Sequence, residues 1–168
     1  MDTNTILNAA STVALLAGLV FAGIQIRAAQ RQRTRDTMIQ FMQSFSTFEF
    51  VQGITALVDL PDRLPRREFE AALGDKLDQV RAVLFALESI GILVHKREVP
   101  IGLAEDFFTG PAMLSWRKSA RYVHELREAN GIRTHFEYYE WLVNIILERR
   151  ESVPREPAYI AHRDWKPK

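Results

Sequence analysis

No charged side chain occurs between Asp2 and Arg27, and Arg27, Arg31, Arg33 and Arg35 follow within a few residues. A chain with such a run has few folding options. Ile, Leu, Val and Phe are spread round the whole helical circumference from Ile6 to Ile26, so no polar stripe is left to face water. About 20 residues at roughly 1.5 Å each match a hydrocarbon layer about 30 Å thick, and the segment is expected to span a bilayer. Its Leu, Ile, Val and Phe residues each favour insertion by about 0.3–0.6 kcal/mol, against the costs of Asn8, Ser11, Thr12 and Gln25 near the ends. The competing reading is a central helix or hydrophobic hairpin buried inside a soluble domain, where a polar stripe is the usual sign.

The order of charges differs from that of a cleaved secretory signal, since acidic Asp2 precedes the apolar run and the arginines follow it. A retained anchor is therefore expected. The excess of arginine places the N-terminus outside and the remainder in the cytoplasm, as a single-pass inner-membrane protein. Arg27, Arg31, Arg33 and Arg35 then set topology and meet lipid headgroups, each attracted by about 1 kcal/mol to an anionic surface. The chain contains no cysteine, which excludes disulfides and thiolate metal sites and agrees with a reducing compartment. Within the apolar run, Ala10, Ala14, Gly18 and Ala22 recur at every fourth residue. Such a small-residue strip lets two helix backbones approach closely, so self-association or docking on a membrane protein partner is expected there.

Beyond residue 36 the periodicity is helical. Met38, Phe41, Met42, Phe45 and Phe48 are spaced by three and four and predict an amphipathic stem. Ser46 and Glu49 have capping-box spacing, opening a helix that ends before Pro61 and Pro65. Phe69 and Leu73 begin a segment that restarts near Gly74, and Leu77, Val80, Leu84, Leu87 and Gly91 continue into the longest cytosolic helix. Val99-Pro100 marks a connection, a short helix from Ile101 stops at Gly110, and Pro111 starts another that Asn130-Gly131 closes. Thr134 and Glu137 open a last helix with Phe136, Tyr139, Leu142, Val143, Ile146 and Leu147 on its apolar face. No alternating strand pattern appears. The predicted fold is all-α: one N-terminal transmembrane helix continuing into a small cytosolic helical bundle. Its divisions are an anchor and basic segment over 1–36, a helical domain over 37–150 and an irregular proline-containing tail over 151–168.

The second half carries Leu87-Glu88-Ser89-Ile90-Gly91-Ile92-Leu93-Val94, then Leu103-Ala104-Glu105-Asp106-Phe107-Phe108, then Trp116, and finally Phe136-Glu137-Tyr138 with Trp141-Leu142. With the N-terminal run and its arginines, this order resembles the bacterial membrane-associated family catalogued as domain of unknown function 4760. The resemblance covers roughly residues 5 to 148 and implies an anchored helical domain. It brings no catalytic residues to carry over.

A search for chemistry returns little. His95, His124, His135 and His162 are isolated, and the Glu-x-x-His pairs of di-iron bundles are missing, so neither a metal nor any other cofactor is expected. No phosphate-binding glycine loop and no Gly-x-Ser-x-Gly elbow occurs, and no enzymatic activity is expected. Arg63, Arg66 and Arg67 are followed at once by acids and the net charge is only +1, which argues against nucleic-acid binding. The aromatic residues Trp116, Tyr138 and Trp141 are the candidates for partner contact, with internal packing the alternative for Trp116. The expected function is a non-enzymatic interaction or scaffold module, self-associating or an accessory subunit of a membrane complex. The alternative is a tethered regulator or effector that senses a ligand through its helical domain.

Overall fold

The structure is a computed structural model that describes residues 15–29, 32, 43, 45, 47–152 and 156–166. The described residues are helical, with no strand among them. The chain divides into two compact units, 1–45 and 46–168.

In the first unit, residues 15–29 form a helix, α1, whose side chains are all exposed. The expected single-pass inner-membrane placement is corrected here: among the described residues no helix is long and apolar enough to cross a membrane. The physical reason is length and composition. Spanning a hydrocarbon layer about 30 Å thick takes about 20 predominantly apolar residues in one helix, and the described stretch 15–29 supplies fewer and includes Gln25 and Arg27. The expected transmembrane helix therefore lacks support, and so does the topology built on it. Ala10, Ala14, Arg31, Arg33, Arg35 and most of the predicted stem lie outside the described residues.

The second unit begins with α2 (Phe48–Val58), capped by the Thr47 hydroxyl, which accepts from the Phe50 N–H at 3.3 Å. A threonine one residue past the predicted cap thus holds the first turn. α3 (Arg66–Leu73) has no side-chain cap from its own N-cap residue Pro65. The Arg66 N–H instead donates to Glu125 at 2.7 Å, a carboxylate distant in sequence satisfying an orphan helix-end donor. Gly74, at φ 50, ends α3 and opens a 3-10 turn to Lys76, so the expected restart is present. α4 (Leu77–His95) buries Val80, Val83, Leu84, Leu87, Ile90 and Val94 and packs against α2, α5 and α6. It is the central helix.

α5 (Ile101–Asn130) is continuous through Gly110 and Pro111, contrary to the predicted break, and it replaces α4 as the longest helix of the bundle. An interior proline costs about 3 kcal/mol because it removes one helical bond and crowds the preceding turn. That cost is offset by packing: Ala104, Phe108, Ala112, Ser115, Ser119, Tyr122, Val123 and Leu126 bury one unbroken face across the proline. Gly131, at φ 67 in the left-handed region, ends the helix as expected. α6 (Glu137–Ser152) buries Tyr139, Leu142, Val143 and Ile146. The tail, expected to be irregular, contains a short helix, α7 (Ala158–Ala161).

Candidate functional site

The surface that gathers most chemistry lies where α4, α5 and α6 meet, and its position is set by how α6 starts. Phe136 is buried at φ 56 with its ring 5.0 Å from that of Phe85. A non-glycine residue in the left-handed region costs about 1–2 kcal/mol, so neighbouring contacts must hold it. Arg127 of α5 supplies them, donating to the carbonyls of His135 at 2.7 Å and Phe136 at 3.2 Å and pairing with Glu140. Glu88 of α4 accepts from the Tyr139 N–H at 2.7 Å and so caps α6 from outside its own helix. Burial pushes the Glu88 carboxyl up, against the lowering effect of the Tyr139 and Tyr138 N–H groups. Burial also pushes Glu140 up, but hydrogen bonds from Arg127 and His124 outweigh it and hold that carboxyl below its ordinary value. Beside them Gly91 touches the Tyr138 backbone. A Cβ there would sit 2.2 Å from the Tyr138 carbonyl oxygen.

This start orients a second face of α6. Tyr138, Trp141 and Ile145 follow at spacings of three and four, and all are half-buried. The His95 ring, at the end of α4, lies 5.2 Å from the Tyr138 ring and 5.5 Å from the Trp141 ring. α4 ends in a Schellman arrangement, with the Glu98 N–H bonded to the Leu93 carbonyl at 3.0 Å and the Arg97 N–H to the Val94 carbonyl at 3.0 Å. Arg97 occupies the position where glycine is usual, at φ 61. The turn leads directly into Pro100 and α5. The result is an open groove of about 730 Å³ floored by Val94, Ile101, Trp141 and Ile145 and rimmed by Arg97 and Glu148. Its lining is mixed, with His95, Arg97, Glu148 and Arg149 standing among the apolar side chains.

Trp116 lies elsewhere. Its ring is 5.1 Å from that of Tyr139 and 5.8 Å from that of His124, so α5–α6 packing takes it up. The structure thus brings Tyr138 and Trp141 together and separates Trp116 from them. Tyr139 itself is fully buried, its hydroxyl bonded to Ser115 and to the Ala112 carbonyl, and burial raises its pKa. Ile145 was readable from sequence as the residue four beyond Trp141. His95, Arg97 and Ile101 carried no such signal, because a turn and a helix crossing bring them to α6.

Across Glu148 and Arg149 lies a polar cleft of about 880 Å³, whose lining includes Glu105, Asp106, Glu156 and His162. Glu105 is buried there and pairs with Arg149 at 2.6 Å. Among the described residues no group of three or more His, Cys, Asp or Glu is placed to hold a metal ion. On α1, Gly18 has no neighbour within 4 Å of a built Cβ, and Ala22 and Arg27 are exposed.

A family model described as "Domain of unknown function (DUF4760)" matches residues 9–146. No curated protein and no solved structure matches the chain.

Proposed function

We propose, from the premise that the chain belongs to the DUF4760 family, that it is a non-enzymatic helical interaction module, acting as a scaffold or as an accessory subunit of a protein complex. The observation that carries this reading is α1. Leu15, Leu16, Leu19, Val20, Phe21, Ile24 and Ile26 are each 58–69% exposed. Together they exceed the few hundred Å² of contiguous apolar surface that a lone monomer usually tolerates. A helix with apolar side chains round its circumference calls for other helices round it, and the small residues Gly18 and Ala22 leave room for a helical neighbour. The test is purification of the full-length chain under mild, non-denaturing extraction with chemical cross-linking and mass spectrometry. A stable homo-oligomer or a stoichiometric protein partner, lost on Leu19→Gln with Val20→Gln, is expected. Recovery of free monomer, or an unchanged assembly in the variant, contradicts the reading.

A second reading, a regulator that senses a ligand, draws support from the polar cleft between α5, α6 and the tail. Its mixed carboxylates and guanidinium groups suit a small zwitterionic or polyionic ligand. A thermal-shift screen of such compounds tests it, and a cleft that returns no hit removes it.

A further inference from the structure

We infer that the polar cleft between α5, α6 and the tail takes a small basic amino acid, its carboxylate on the Arg149 guanidinium and its ammonium groups facing Glu148 and Glu156. This inference rests on the ligand-sensing reading and names the chemistry that the cleft selects. At about 880 Å³ the cleft lies within the range of ligand pockets, about 300–1,000 Å³. α7 contributes Ala158 and Ala161 to its wall, side chains too small to fill the space between tail and bundle.

An ion pair joins α5 to α6 in that wall. The Glu105 side chain is only 5% exposed, and it accepts from Arg149 Nε at 2.6 Å. A carboxylate so far from water needs a close cation, yet such pairs add little stability over apolar side chains of similar volume. What this pair supplies is position: a buried anion fixes the guanidinium of a half-exposed arginine. Arg149 is held through Nε alone, and among the described residues its two terminal nitrogens make no hydrogen bond. That free fork matches the two oxygens of a carboxylate.

The groups beside the fork decide which carboxylate-bearing molecule fits. Glu148 precedes Arg149 on α6 and Glu156 comes from the tail, so acids from two elements line the same cleft. Both are exposed, and among the described residues neither carboxylate is bonded. A dicarboxylate would bring its second charge against them, and like-charge juxtaposition rejects it. A molecule with one carboxylate and two cationic nitrogens satisfies the fork and both acids together.

The test titrates the full-length protein calorimetrically, at fixed ionic strength, with L-lysine and two of its analogues. Cadaverine lacks the carboxylate, and ε-aminocaproate lacks the α-amino group. Lysine is expected to bind about tenfold more tightly than either, the worth of one charge-assisted contact. Arg149→Lys keeps a cation beside Glu105 but removes the fork; it is expected to bring lysine down to the affinity of cadaverine and to leave cadaverine unchanged. Glu148→Gln with Glu156→Gln, at exposed positions, is expected to weaken lysine and cadaverine alike by about tenfold or more. Lysine binding no more tightly than cadaverine, or a preference that survives Arg149→Lys, overturns the inference. If lysine fails while another compound of the thermal-shift screen binds in the cleft, the ligand-sensing reading stands without this ligand class. If nothing binds, both fall.

Discussion

Replacing Gly91 by alanine tests the α4–α6 crossing most directly. Helix propensity alone makes the change favourable, since alanine gains about 0.8–1 kcal/mol over glycine in a helix interior. The packing opposes it. The added Cβ would lie 2.2 Å from the Tyr138 carbonyl oxygen, 2.6 Å from its carbon and 3.0 Å from the Tyr138 Cβ. Two of those atoms are backbone, so no rotamer change relieves the clash, and α6 must move by about 1 Å to restore ordinary contact. Overpacking of that kind costs about 1–3 kcal/mol, and a gap of that size forfeits a quarter to a half of each displaced contact. The movement also stretches the bond from the Tyr139 N–H to Glu88, at 2.7 Å, and a hydrogen bond to a charged group contributes about 1.5–3 kcal/mol. The expected net loss is about 3 kcal/mol, a large part of the stability of a small domain. Urea unfolding followed by circular dichroism at constant slope measures it. Gly102→Ala is the control: it is helical, with nothing within 4 Å of its built Cβ, and is expected to gain up to about 1 kcal/mol. If Gly91→Ala also stabilises the protein, the close approach of α4 and α6 is refuted.

Glu88→Gln probes the remote cap through pH. The folded-state pKa of Glu88 is raised, so its contribution is full below the unfolded value and is lost as pH rises through the folded one. The stability difference between variant and wild type is expected to move in the wild type's favour as pH falls through that window, and a difference flat with pH refutes the assignment. Arg127→Ala removes the donor of the His135 carbonyl and one of the two donors of the Phe136 carbonyl and of Glu140; a loss of about 2–3 kcal/mol in urea unfolding is expected. Arg97→Gly relieves a left-handed non-glycine residue and is expected to raise stability by about 0.5–1 kcal/mol, read as a higher thermal midpoint.

The helical class, the restart at Gly74 and the stop at Gly131 were determined by the sequence itself, because a 3.6-residue apolar period and the freedom of glycine at positive φ act within a few residues. The uncharged opening run was equally legible, but its reach across a bilayer was not, since spanning depends on the length of continuous helix and the described helix falls short. Other features belong to tertiary structure alone. Pro111 reads locally as a helix start, yet one buried face packed against the neighbouring helices carries α5 through it. Gly91 reads as one more position on the stripe of Leu84 and Leu87, yet it is the point where another backbone touches. Glu88 carries no local sign of its role, yet it caps a helix that begins 49 residues later, at Glu137. For the groove, the sequence singled out Trp141, while His95, Arg97 and Ile101 joined it only through the α4–α5 turn. Local torsional preferences and periodicity are written along the chain; steric approach and charge pairing between distant segments exist only after the helices have packed.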